Sequence, residues 1–201
     1  MNTSKLFIAL LLTSSYVFAE DGKFYIGASG GQADYDSKIT GLTGTSKLDE
    51  EDTAWKIYTG YRWENNFGLE IQYADFGEVS ISGNNGDQFT DGKGTALVFA
   101  INNAKIYSEV KSYGIAASYS FPLHENFSLF GKAGIHRWDL ETADNASGSY
   151  PDEDGTEPFG GLGAEFSYEN FALRVEYERY KIDSDDIDDI DFASAGLTVS
   201  F

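Results

Sequence analysis

Apolar and polar residues alternate with a period of two along most of the chain. In residues 191–201, Ala193, Ala195, Leu197, Val199 and Phe201 share one face, and Ser, Gly and Thr residues fill the other. This period is typical of β-strands. It predicts about eight strands, at 23–36, 53–63, 67–78, 107–121, 127–138, 158–168, 171–182 and 191–201.

The connections between these runs alternate in length. They are long at 37–52, 79–106, 139–157 and 183–190, and short at 64–66, 122–126 and 169–170. In an antiparallel sheet this alternation sends long and short loops to opposite rims, as in outer-membrane barrels with short periplasmic turns. Each run can supply the ~9–11 residues that a tilted membrane strand needs. The pattern therefore predicts an all-β fold, an eight-stranded antiparallel up-and-down transmembrane β-barrel.

Aromatic residues cluster beside the short connections. Because aromatic rings favour the membrane–water interface, they predict a girdle at the short-turn rim. Its members are Trp63, Phe67, Phe121, Phe127, Tyr168, Phe171 and Phe201.

The N-terminal segment has the pattern of a secretory signal peptide, with Lys5, an apolar stretch at 6–12 and Ala19 before an acidic start. The apolar stretch is shorter than the ~18 residues wanted for a membrane span. We predict a signal peptide at 1–19 and a barrel domain at 20–201, which leaves 201 − 19 = 182 mature residues. Export through this signal would place the barrel in the outer membrane of a Gram-negative cell, in contact with lipopolysaccharide.

Composition excludes several classes of function. The chain has no Cys, so a disulfide framework is ruled out, and its two His leave little for a nitrogen-ligated metal site. We expect no cofactor and no metal. The net charge of −19 argues against nucleic acid as a partner, because phosphate binding needs clustered Lys and Arg.

Several segments resemble the small OmpA/OmpX-type outer-membrane barrels. They are residues 55–63, 67–77 and 119–123, together with the terminal Phe201. The resemblance implies an eight-stranded barrel whose last strand is recognised by the outer-membrane assembly machinery. We expect this barrel to be a monomer. Since the chain stops at Phe201, we expect it to lack the periplasmic peptidoglycan-binding domain of the longer OmpA proteins.

The strand faces that cannot contact lipid carry a balanced set of charges. These are Lys56, Arg62, Glu70, Lys132, Glu165, Arg174, Glu176 and Glu178, with Glu165 predicted to lie opposite Arg174 across the 169–170 turn. An eight-stranded barrel is just wide enough for its side chains to fill, which favours a structural plug. A narrow porin-like path for ions or small solutes stays open as the alternative, although selective pores usually show one sign of charge.

The long loops are strongly acidic. Residues 139–157 contain seven acids and no base, and 183–191 contain six acids and no base. A solvated rim is one interpretation, and attraction of divalent cations or basic host surfaces is the other. The second fits an adhesin or a barrel that resists host defence. The 183–191 run lacks the glycine and the closing glutamate of an EF-hand, so a specific calcium site is not favoured.

One apolar stretch, residues 95–101, interrupts a loop that is otherwise rich in Gly and Asn. It is either a strand that packs on neighbouring loops above the membrane or an exposed edge that adds to a partner strand.

Catalysis is not expected from this sequence. His124 falls in the predicted 122–126 turn and His136 lies near the external end of its strand, where a structural role is the simpler interpretation. A soluble lipocalin-like barrel would share the eight strands but would bury its apolar face around a ligand.

Overall fold

The computed structural model describes residues 22–145 and 148–201, so the predicted signal peptide at 1–19 lies outside them. Every regular element in these ranges is a strand. The same ranges contain no helix that is long and apolar enough to cross a membrane. The strands are β1 (Gly22–Ser37), β2 (Lys47–Asp49), β3 (Glu51–Trp63), β4 (Phe67–Gly83), β5 (Gln88–Thr90), β6 (Ala96–Val98), β7 (Ala104–His124), β8 (Phe127–Asp144), β9 (Gly148–Ser149), β10 (Glu153–Tyr168), β11 (Phe171–Lys181) and β12 (Ile187–Ser200).

Eight long strands close into an antiparallel barrel. In order around the wall they are β1, β3, β4, β7, β8, β10, β11 and β12. The final strand pairs with the first from Tyr25 opposite Ser200 to Asp34 opposite Asp191, so the barrel wall keeps no open edge. The predicted fold class is therefore confirmed.

The loops separate to two rims. The short turns, residues 64–66, 125–126 and 169–170, join neighbouring strands at one end, and Asn66 and Glu169 adopt positive φ values of 67° and 53° there. The strand β7 continues to His124, so this histidine ends a strand and does not lie within the turn as predicted. The connections that carry β2, β5, β6 and β9 lie at the other end, which we call the outer rim.

The wall is taller at the outer rim than the sequence pattern predicts. Residues 79–83, 104–106, 139–144 and 153–157 were expected in loops but lie in β4, β7, β8 and β10. In β4 the alternation that predicts a strand is interrupted by a β-bulge between Asp75 and Glu78, where Gly77 adopts a φ of 74°. The extra residue moves the inward positions from Ala74 and Phe76 to Val79 and Ile81, which breaks the period of two.

The outward face of the barrel wall is apolar and has no protein partner. Its exposed side chains include Ile26, Ile57, Leu69, Ile71, Ile115, Ile135, Leu162, Leu173, Val175 and Leu197. A contiguous apolar band around a closed barrel is the surface that lipid covers in a transmembrane barrel.

Candidate functional site

The structure places all eight predicted lumen charges in the barrel interior. Seven are buried and Arg62 is partly exposed near the short turns. We call the part of the interior that holds Lys56, Glu70, Lys132, Arg174, Glu176 and Glu178 the lower lumen.

The lower lumen is one connected ion-pair network. Lys132 Nζ lies 2.9 Å from Glu70 Oε1, 3.0 Å from Glu176 Oε1 and 2.7 Å from Glu178 Oε1. Lys56 contacts Glu178 and lies 2.7 Å from Glu176. Three cations thus face three carboxylates, and each cation contacts at least two of them.

Arg174 completes this network from β11. Its guanidinium donates to Glu70 at 2.8 Å and to Glu176 at 2.9 Å, and it lies over the rings of Tyr58 and Phe130. The Tyr25 hydroxyl donates to the same Glu70 carboxylate at 3.0 Å. These contacts hold the guanidinium between charge and aromatic surface.

The predicted pairing of Glu165 with Arg174 is only half right. The two residues are opposite each other in the β10–β11 register, but Glu165 forms its ion pair with Arg62, through two hydrogen bonds of 2.9 and 3.3 Å. In a narrow barrel the long side chains reach across the lumen, so nearest-strand register does not select the partner. Arg174 instead forms an ion pair with Glu70, which is distant from it in the sequence.

Above the ions, towards the outer rim, the interior becomes aromatic and apolar. We call this region the upper lumen. Its fully buried members are Tyr35, Phe76, Val110, Trp138, Tyr180, Ile182, Ile190 and Phe192. Phe76 packs on Tyr180 and Phe192 at ring-centroid distances of 4.7 and 5.9 Å.

A serine and a histidine meet between the two regions. Ser112 Oγ lies 2.9 Å from His136 Nδ1, and His136 Nε2 lies 2.9 Å from the Lys181 carbonyl oxygen. A carbonyl can only accept, so Nε2 carries the proton and Nδ1 accepts from Ser112. The contact between Ser112 and His136 could not be predicted from the sequence, because the two residues are neighbours only through β7–β8 pairing.

The seven predicted girdle residues all lie at the short-turn rim with exposed side chains. A second aromatic row, which the sequence reasoning did not identify, crosses the outward face nearer the outer rim. Trp55, Tyr73 and Tyr113 lie on three adjacent strands, with centroid distances of 5.4 Å and 4.9 Å between consecutive rings. The period-two pattern contained these residues, but only the strand register shows that they form a row.

The acidic run at 183–191 contacts bases from other loops. Lys38 Nζ lies 3.0 Å from Asp188, Lys93 Nζ lies 2.6 Å from Asp185, and Lys181 lies near Asp188 and Asp189. The Gly92 amide also donates to Asp186 Oδ1 at 2.7 Å. We call this set of contacts the acidic latch, because it joins three loops. Among the described residues no group of three or more His, Cys, Asp or Glu could hold a metal ion.

Hydrogen bonds shift the pKa values of two residues in the latch. The pKa of Asp188 is lowered, first by its hydrogen bond from Lys38, and the pKa of Lys93 is raised, first by its hydrogen bond to Asp185. Both shifts favour the ionised pairs at neutral pH.

The apolar stretch 95–101 divides between packing and exposure. Its β6 strand pairs with β5, and Phe99 packs on Phe89 in a buried cluster with Ile81 and Ala104. Leu97, Val98 and Ile101 stay exposed, and within residues 22–145 and 148–201 the strand β6 pairs only with β5.

Comparison with known proteins identifies the family. A family model described as "outer membrane protein beta-barrel domain" matches residues 6–201. The chain belongs to this family. No curated protein sequence matches it significantly. The resemblance to small OmpA/OmpX-type barrels is confirmed, and the protein is an outer-membrane β-barrel.

Solved barrels share its architecture at low sequence identity. The attachment invasion locus protein Ail of Yersinia pestis, solved with the heparin analogue sucrose octasulfate, is 19% identical with a TM-score of 0.52, over 90% of this chain and 98% of Ail. Neisserial surface protein A is 16% identical with a TM-score of 0.53, over 89% and 97% of the two chains. The N-terminal barrel domain of Pseudomonas aeruginosa OprF is 12% identical with a TM-score of 0.53, over 90% and 100%. At these identities the likeness shows the fold.

Proposed function

We propose that this outer-membrane barrel is a closed, non-conducting anchor that presents an acidic loop platform to basic partner surfaces. The observation that carries the proposal is the contrast between a lumen filled with balanced charges and apolar side chains and an outer rim rich in acids. In this interpretation the barrel supplies position and stability, and the loops supply recognition.

A narrow channel is the competing function of the lumen. Against it, the lower lumen has no excess of one charge and the upper lumen holds fully buried rings such as Phe76 and Tyr180. Ions would have to displace both layers. In planar bilayers we expect no stable single-channel current from the purified protein, and sustained voltage-dependent conductance would reject the plug.

Adhesion is the specific surface role that we propose. The outer rim carries the acidic runs, so a basic protein surface is the favoured partner and a sulfated glycan is not. The partner bound to Ail in the solved complex is a polyanion, and we expect this chain to bind such a compound weakly. Adherence of bacteria that express the barrel should therefore fall with added polylysine, which competes for the acidic loops.

The exposed edge of β6 offers a contact for such a partner by strand addition. A Val98→Pro variant removes a backbone donor from β6, whereas Val98→Thr keeps the donor and a strand-favouring side chain. We expect Val98→Pro to reduce adherence and Val98→Thr to leave it near the wild-type level. Equal adherence of both folded variants would exclude this edge.

Catalysis is not part of the proposal. Ser112 and His136 form a nucleophile–base contact, but both are buried and the histidine is oriented by a backbone carbonyl instead of a carboxylate. Neither can meet a substrate without opening the lumen. A fluorophosphonate probe should not label the folded protein, and labelling at Ser112 would contradict this assignment.

We also propose how the barrel reaches and sits in the membrane. Signal cleavage after Ala19 should leave Glu20 as the first residue, which N-terminal sequencing of the membrane-extracted protein checks. The girdle would lie at the periplasmic interface, and the outer wall would contact lipopolysaccharide. The Phe201 amide donates a hydrogen bond of 2.8 Å to the Phe24 carbonyl of β1, and the Phe201 side chain is exposed. This exposed side chain would engage the assembly machinery. Phe201→Ala should lower assembled barrel levels more than it lowers adherence per barrel.

A further inference from the structure

A cavity of about 530 Å³ lies between the upper lumen and the outer loops. Its size falls within the ~300–1,000 Å³ usual for small-molecule sites. Strands β4, β7 and β8 form its walls, and the loop segments 91–93 and 184–186 lie at its border. The cavity lies beside the β6 edge proposed above for protein partners, because Leu97 of β6 lines it.

The inner wall of the cavity is mainly apolar, although the hydroxyl side chains of Ser80, Ser108 and Thr142 also line it. It includes Val79, Ile81, Phe89, Leu97, Ile106 and Leu140. Apart from the exposed Leu97, these side chains belong to or pack against the two buried clusters, one in the upper lumen and one beneath the β5–β6 hairpin. A ligand would therefore place hydrocarbon or an aromatic ring here, since burial of apolar area drives such binding.

The charged residues at the cavity are mostly acidic. Asp91, Glu153, Asp185 and Asp186 line it together with one base, Lys93. Lys93 is already paired with Asp185, at 2.6 Å, and both side chains are about half exposed or more. The border thus keeps an excess of negative charge in contact with solvent, in a chain of net charge −19.

We propose that this cavity binds a small cationic amphiphile, with its apolar body against the β4–β7–β8 wall and its ammonium group beside Glu153 and Asp186. Charge complementarity selects the cation, because an anionic head would face four carboxylates and one ammonium that is already paired. An uncharged apolar molecule would gain the wall contact alone.

The test uses full-length protein in phosphatidylcholine nanodiscs, with empty nanodiscs as the lipid control. The cationic probe is dansylcadaverine, whose naphthalene ring reports an apolar site by its fluorescence, and the uncharged probe is N-butyl dansylamide. We expect saturable binding of the cationic probe, about tenfold tighter than that of the uncharged probe at low salt, with a difference that shrinks as salt rises. Equal affinity for the two probes, or no saturable signal above empty nanodiscs, would overturn the proposal.

Two variants locate the site. Ser108 on β7 lines the cavity, and its hydroxyl lies 2.8 Å from the Thr142 hydroxyl on the neighbouring strand β8. Ser108→Phe fills the cavity from β7 and should abolish saturable binding of either probe. Glu153→Gln with Asp186→Asn removes two carboxylates near solvent and should weaken only the cationic probe, by about three- to tenfold.

The matched control removes two carboxylates from the outward face, Asp34→Asn with Glu51→Gln, which lie opposite each other on β1 and β3. It should leave both affinities within about twofold of wild type, the range expected for distant surface charges. Unchanged binding in Ser108→Phe, or equal loss in the border pair and its control, would reject the site. If Ser108→Phe does not fold, the border pair and its control still decide the result.

Discussion

The lower and upper lumen are filled with opposite chemistry in one continuous interior. The lower lumen holds Lys56, Lys132 and Arg174 against three glutamates, whereas the upper lumen holds Phe76, Trp138 and Ile190 among other apolar groups. Both regions fill the barrel interior with side chains. Ion pairs without water require every charge to be matched, while an apolar region requires only that its volume be filled.

The lower and upper lumen should therefore lose stability for different reasons. A substitution that keeps side-chain size but removes a charge should destabilise the lower lumen. The described residues of the upper lumen include no charged side chain at which the same substitution could be made. A change that keeps chemistry but removes a methyl group should be mild in the upper lumen. Single substitutions separate these two kinds of dependence.

Lys132→Met should be the most damaging of these substitutions. It keeps most of the side-chain volume but removes the one cation that contacts Glu70, Glu176 and Glu178 together. Breaking a buried ion pair costs about 3–5 kcal/mol. Urea-dependent unfolding in lipid vesicles should show this loss, whereas Arg179→Met at the exposed Asp191 pair should cost at most about 1 kcal/mol. A loss no greater than that of Arg179→Met would mean that the lower lumen is solvated.

Adding Glu178→Gln to Lys132→Met should restore part of the stability. The double variant again has matched charges, two cations and two carboxylates, in the central network. Contacting charges usually couple by about 0.5–3 kcal/mol in a double-mutant cycle. Additive losses in the four-protein cycle would argue that charge balance does not govern this region.

Ile190→Val should cost only about 0.5–1.5 kcal/mol, although Ile190 is fully buried in the upper lumen. The lost methyl group leaves a small gap and no unmatched charge. The same urea series measures this loss, with Ile135→Val on the lipid-facing wall as the control. A loss as large as that of Lys132→Met would remove the distinction between the two regions.

Acid should loosen the loops before it affects either lumen region. The folded-state pKa of Asp188 is below its usual value of 3.8, so its contribution is complete above that value and is lost as pH falls through the lowered pKa. Below about pH 4, hydrogen exchange at the Lys38 amide, which donates to Asp186 O, should accelerate while lumen amides stay protected. Lys38→Met should weaken this acid-dependent step, and an unchanged step would show that another group controls it.

The barrel could be predicted from the sequence because every membrane strand repeats the same local signal. Alternation around Phe67–Tyr73 or Phe171–Tyr177 needs no knowledge of distant residues. The same signal assigned all eight charges to the interior, since a residue between two lipid-facing neighbours must point inward.

The pairings could not be predicted in this way. Lys56 meets Glu176, 120 residues later in the chain, and this contact depends on barrel closure and on how far each side chain reaches. Lys38 meets Asp188 for the same reason, so a run that is purely acidic in sequence becomes a set of ion pairs in space. The strand extensions beyond Gly77 escaped prediction because the bulge exchanges the inward and outward positions.

That bulge divides β4 into two parts with opposite alternation of inward and outward residues. Tyr35 donates its hydroxyl proton to the Gly77 carbonyl at 3.0 Å, and the Glu78 amide donates to Asp52 at 2.8 Å, so the change of alternation is fixed from both sides. Below the bulge, contact with lipid on one face and with the ion network on the other fixes which alternate residues are apolar and which are polar. Above the bulge, only contacts with the loops and the cavity fix this pattern. The part of β4 above the bulge can therefore change its pattern of apolar and polar residues without changing which residues below the bulge face lipid.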